Sequence, residues 1–121
     1  VAVRVGSASG YDRFVVEFAG AVPGFKVRPQ SSPSLVQDPS GRTVTLQGSS
    51  ALAVTLSPSS GQGTYSGPAD FTPGYPVLRE ARLMGDFEAV TTWGLGVNGS
   101  GCFRSFTLSS PSRLVVDVQS A

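Results

Sequence analysis

Apolar and polar residues alternate with a period of two along most of this chain. Val1, Val3 and Val5 take one side of an extended segment while Ala2 and Arg4 take the other, because successive strand side chains point to opposite faces. In RFVVEF, Phe14, Val16 and Phe18 share one face and Arg13, Val15 and Glu17 the other. AVPGFKVR carries Phe25 and Val27, with Pro23 marking a strand start or a sheet edge. TVTLQG and ALAVTLS follow as short strands around Gly48, Ser49 and Ser50. VLREARLM, residues 77–84, is rich in helix formers, but two helical turns are marginal by themselves, so it too is read as strand. DFEAVTTWGLGV is read as one long strand with Phe87, Ala89, Thr91, Trp93, Leu95 and Val97 on a shared face. CFRSFTL and RLVVDV complete the set.

Glycine, proline and serine punctuate these segments. GSASGYD and SSPS read as turns, and NGSG, residues 98–101, reads as a hairpin turn. Residues 29–42 and 57–76 read as loops, the second with Tyr65, Phe71 and Tyr75 expected to pin it to the core. Eight or nine short strands with such turns predict an all-β fold, either a small barrel or, as adopted here, a β-sandwich of two small, mostly antiparallel sheets. With 121 residues the chain is expected to form a single domain, 1–121, large enough for a real core.

Composition narrows the function. The net charge is +1 and its signs are interspersed, which speaks against a nucleic-acid binder. Charged residues are 14% of the chain, against about 25% in an average domain. Serine, glycine and proline supply the polarity, as is common in exported proteins. The one cysteine, Cys102, is expected to be buried and inert. No apolar run approaches the ~20 residues of a membrane span, and no leader is visible. Val1 opens directly on the alternating pattern, as it would after a leader or lipid anchor had been removed.

Candidate chemistry is sparse. GLGVNG, Gly94 to Gly99, matches G-x-G-x-x-G, but a dinucleotide site needs a helix directly after it, and a strand-like segment follows. Gly94 and Gly96 are instead expected to let another strand or a ligand approach closely. With no histidine there is no Ser–His or Cys–His pair. No metal ligand set or cofactor motif is found, and the chain is expected not to be an enzyme. Asp86 and Glu88, about 7 Å apart on one strand face, keep a glycosidase-like carboxylate pair open as the least favoured reading. Trp93 is read as core rather than as a sugar-stacking ring.

The most distinctive feature is an echo. DRFVVEF, Asp12 to Phe18, and SRLVVDV, Ser112 to Val118, share the order Arg, apolar, Val, Val, acid, apolar. Two arrangements satisfy it. If the strands are antiparallel neighbours with Val15 opposite Val115, then Arg13 faces Asp117 and Glu17 faces Arg113. If they lie in different sheets, both rows of Arg, Val and acid face outward to a ligand.

YDRFVVEFAG, PGFKVR, GDFEAVTTWGLGV, CFRSF and PSRLVVDV together resemble the AMIN domain, and more closely the AMIN-like domain of exported proteins and lipoproteins of high-GC bacteria. The positions matching the family pattern are Asp12, Arg13, Glu17, Arg113 and Asp117, with the stretch Gly85 to Glu88. The resemblance implies a two-sheet sandwich outside the cytoplasm that is non-catalytic and targets its attached partners to the cell wall by binding peptidoglycan. The two long Ser/Gly/Pro loops depart from that pattern, and no catalytic domain is expected within these 121 residues.

These readings combine into one expectation: an exported, envelope-tethered module binding peptidoglycan or a related wall glycan. Arg13 and Arg113 would pair with wall carboxylates, and Glu17, Asp86, Glu88 and Asp117 would accept sugar hydroxyls. The alternative is a protein-interaction module that docks an envelope protein through an exposed sheet edge or a long loop.

Overall fold

The computed structural model describes residues 2–18, 20–37, 41–57, 67–87, 90–99 and 102–119, with only the backbone for Asp86 and Phe87. Eleven strands are found among them, and no helix. Strands β1 (Ala2–Ala8), β2 (Tyr11–Phe18), β10 (Phe103–Leu108) and β11 (Ser112–Gln119) form an antiparallel sheet in the order β1-β2-β11-β10. Strands β3 (Phe25–Gln30), β6 (Ser50–Leu56), β7 (Asp70–Phe71), β8 (Leu78–Phe87) and β9 (Val90–Val97) form a second, in the order β3-β6-β9-β8-β7. A two-stranded ribbon, β4 (Ser34–Gln37) with β5 (Arg42–Thr45), is a third, small sheet. No helix of the described residues is long and apolar enough to cross a membrane.

The alternation places the core as expected. Phe14, Val16, Leu114, Val116 and Val118 of the four-stranded sheet meet Leu52, Val54, Leu56, Leu78, Trp93, Leu95 and Val97 of the five-stranded one. Trp93 is buried and packs against Phe14 and Phe71, with ring centroids 5.5 and 6.2 Å away. Phe71 and Tyr75 pack on this core and so pin their end of the 57–76 segment, while Tyr65 lies outside the described residues. The sandwich is a fold of opposed faces in which every inward residue excludes water from its counterpart on the other sheet.

Four local expectations are corrected. DFEAVTTWGLGV is not one strand: β8 ends at Phe87 and β9 begins at Val90, with Phe87 opposite Val90 and Asp86 opposite Thr91. Period-two alternation runs on through this connection, and no glycine, proline or asparagine marks it, so only length betrays it: strands seldom exceed about 10 residues. NGSG does not return a hairpin either. The chain passes there from β9 in one sheet to β10 in the other, because β9 already has β6 and β8 on its two sides. The 29–42 segment holds the end of β3 and the whole of β4, and the 57–76 segment holds β7, so neither is all loop. Cys102 is exposed rather than buried, since it precedes β10 at the open end of the sheet.

Gly94 and Gly96 explain the spurious phosphate-loop motif. Leu46 and Ala51 form a second small core with Met84 on the outer side of the five-stranded sheet, joined by Leu35 and Val44 of the ribbon. A Cβ on Gly96 would sit 2.0 Å from the Gln47 carbonyl oxygen, and one on Gly94 would sit 2.9 Å from Leu35 Cδ1. The glycines are therefore the floor on which this segment lies.

Candidate functional site

The echoing strands β2 and β11 are adjacent and antiparallel, with Val15 opposite Val115, Arg13 opposite Asp117 and Glu17 opposite Arg113. The first of the two arrangements is therefore the one adopted. Period two then sends Arg13, Val15 and Glu17, with Arg113, Val115 and Asp117, to the outer face of the four-stranded sheet. Strand β10 adds Arg104 opposite Asp117, Phe106 opposite Val115 and Leu108 opposite Arg113. On the other side, β1 adds Arg4 opposite Val15.

Asp117 is the hub of this face. It is 1% exposed, and it accepts from Arg13 Nε at 2.8 Å and Nη2 at 3.0 Å, a forked and charge-assisted contact. Arg104 Nη2 approaches the same carboxylate at 3.4 Å. The Arg13 guanidinium lies over the Tyr11 and Phe106 rings, 5.5 and 5.6 Å from their centroids, and Arg104 lies 5.5 Å from the Phe106 centroid. The hydrogen bond to Asp117 holds the pKa of Arg13 above its ordinary value, and partial burial works against this.

The second cross-strand pair does not form. Glu17 instead accepts from Arg4 Nη2 at 2.8 Å, and Arg113 Nε donates to the Pro111 carbonyl at 3.1 Å. Register alone allowed Glu17 two arginine neighbours, and the one on β1 holds it.

Arg13, Glu17, Arg113 and Asp117 are thus brought together, whereas Asp86 lies on the other sheet. Asp86 belongs to β8 of the other sheet, its side chain is not described, and Glu88 lies outside the described residues. Arg4, Tyr11, Arg104 and Phe106 were missed. The period-two order of Arg104, Phe106 and Leu108 carried a signal for two of them, once β10 is known to neighbour β11.

Asp12 matches the family pattern but does other work. It is buried, and its Oδ2 accepts from the backbone N–H of Val77 at 2.7 Å and of Leu78 at 2.9 Å, while Oδ1 accepts from Ser7 Oγ at 2.6 Å. It staples β2 to the start of β8 across the sandwich. Glu80, on β8, is also nearly buried and accepts from Gln47 N–H at 2.9 Å. Burial pushes its carboxyl above the ordinary 4.5, and a hydrogen bond with Asp70 adds to this, while the Gln47 N–H opposes it. Among the described residues no three histidine, cysteine, aspartate or glutamate side chains gather as metal ligands.

The outer face thus presents four arginines, Arg4, Arg13, Arg104 and Arg113, against two carboxylates, Glu17 and Asp117, with Tyr11 and Phe106 set among them. Such a surface is suited to a ligand that carries both anionic groups and flat apolar faces. Comparison with curated proteins and with solved structures finds no match. The family model of the AMIN-like domain, by contrast, matches residues 1–120. A match of that extent, on a sandwich built around the paired Arg-Val-Val-acid strands, places the chain in the AMIN-like domain family, a class of cell-envelope-related modules.

Proposed function

We propose that this domain is a non-catalytic binding and targeting module, and that its ligand is peptidoglycan or a related wall glycan held on the outer face of the four-stranded sheet. The observation that carries the reading is the Arg13 guanidinium, fixed by Asp117 and flanked by two rings, beside a 62% exposed Arg104. Two of the five N–H donors of Arg13 are engaged by Asp117. The remainder, with those of Arg104, are available to peptide-stem or sugar carboxylates, and Tyr11 and Phe106 offer faces for sugar rings. Arg4 and Arg113 would widen the contact at the other end of the face. Exported placement, with or without a lipid anchor, belongs to the same proposal.

The test is sedimentation of the purified domain with insoluble peptidoglycan at low salt. The wild type pellets, and Arg104→Gln with Arg113→Gln weakens pelleting at least severalfold. Failure of the wild type to pellet would sink the reading, and unchanged pelleting of the double variant would remove the site. Release of soluble muropeptides would show that the module is catalytic after all. A second reading, an envelope protein added as a further strand, is favoured by β10, a six-residue edge strand with no proline. Retention of a protein partner after muramidase digestion would support it.

A further inference from the structure

The opposite side of the sandwich carries a separate feature. Where the β4–β5 ribbon leaves the five-stranded sheet uncovered, a depression of about 650 Å³ is lined by Lys26, Arg28, Thr55, Ser57 and Val90 among others. Lys26 and Arg28 are alternate residues of the edge strand β3, so both project to this side, about 7 Å apart. Lys26 stands opposite Thr55, which stands opposite Thr92, so one cross-strand row runs from ammonium to hydroxyls.

Among the described residues the charge at this place is unbalanced. Arg4, Arg13, Arg82 and Arg104 each face a carboxylate, and Arg79 and Arg113 donate to backbone carbonyls. Lys26 and Arg28 have no such partner among the described residues, and no described carboxylate lines the depression. Two cations with no partner among the described residues and with hydroxyl donors beside them, in a concave setting, are complementary to oxyanions. The exposed Val90 supplies an apolar wall for the body of the molecule that bears them.

We infer that this groove binds an anionic polymer, with Lys26 and Arg28 contacting neighbouring phosphate or carboxylate groups and Thr55 and Ser57 donating hydrogen bonds. The site shares no residue with the arginine–aromatic face and so is a second site of the domain.

The test is fluorescence anisotropy of labelled long-chain polyphosphate and labelled polygalacturonate with the whole domain. At least one binds, and the preferred one identifies the oxyanion. Lys26→Gln with Arg28→Gln weakens binding at least tenfold, whereas the charge-retaining swap Lys26→Arg with Arg28→Lys preserves it and Arg104→Gln leaves it unchanged. Two counterion-releasing contacts predict about sevenfold loss of affinity over an about fourfold rise in salt, and the double variant loses most of that dependence. Binding of neither polymer overturns the inference. So does binding that survives Lys26→Gln with Arg28→Gln, or that Arg104→Gln abolishes.

Discussion

Replacing Asp117 by asparagine tests whether the paired strands are held by a specific charge contact or by their apolar sides alone. Asparagine keeps the shape and burial of the side chain. It substitutes an amide N–H₂ for one carboxylate oxygen, so one of the two forked bonds from Arg13 becomes a donor facing a donor. Breaking a buried ion pair by removing one partner typically costs about 3–5 kcal/mol. Here the arginines are 35% and 62% exposed and regain water when released, so the expected loss is nearer to about 2 kcal/mol. With an unfolding entropy of about 2.1 cal/mol/K per residue, that lowers Tm by about 8 °C.

A double-mutant cycle isolates the contact. Urea unfolding of Arg13→Gln, Asp117→Asn and the double variant gives an interaction energy of about 1–2 kcal/mol. The same cycle on Arg4 and Glu17, whose side chains are 52% and 32% exposed, gives no more than about 0.5 kcal/mol. A coupling between Arg13 and Asp117 as small as that of the exposed pair would refute the reasoning. It would mean that the fork seen in the structure contributes nothing beyond what water supplies to the separate groups.

Other substitutions probe other parts of the same architecture. Gly96→Ala drives a methyl into the Gln47 carbonyl and is expected to lose at least about 2 kcal/mol in urea melts, whereas Gly6→Ala, with nothing within 4 Å, leaves stability nearly unchanged. Asp12→Ala strands the buried N–H groups of Val77 and Leu78 and loses about 3 kcal/mol, and Asp12→Asn, whose amide oxygen still accepts, recovers part of it by the same measurement. The carboxyl of Glu80 is raised in the folded state, so folding favours its protonated form. Stability then falls as pH rises from about the ordinary 4.5 through the raised value, and Glu80→Gln removes that slope in melts recorded across the range.

The arrangement of Arg13 and Asp117 was legible for a physical reason. Antiparallel pairing reverses one strand, so two copies of an Arg-first, acid-last stretch place unlike charges opposite each other when their central valines align. The inward faces were legible because alternation needs no knowledge of neighbours. Which strands share a sheet was not, because pairing is decided over the whole chain. The Asn98-Gly99 turn suits a crossover as well as a hairpin. The ribbon partner Leu35 sat in a segment that composition marks as loop, so the surface that Gly94 and Gly96 accommodate had no visible owner. Glu17 shows the same limit at the scale of one side chain. Its partner in register was predictable, but its partner in space came from β1, whose position beside β2 the echo does not encode.

The echo also bears on how a structural device and the proposed binding face would coexist. A guanidinium free in solvent loses side-chain entropy when it meets a ligand, which offsets much of what an exposed ion pair gains. Arg13 has already lost that freedom in folding, because Asp117 fixes two of its donors and Tyr11 and Phe106 bound its plane. In the proposed wall binding the ion pair therefore does not compete with recognition so much as set its geometry. Arg104, held loosely at 3.4 Å from the same carboxylate, is free to turn toward an incoming anion. It follows that Asp117→Asn weakens wall binding more than its effect on stability accounts for, because two arginines lose their common anchor. Equal pelleting of Asp117→Asn and wild type at a temperature where both are fully folded would show that the fork serves the sandwich alone.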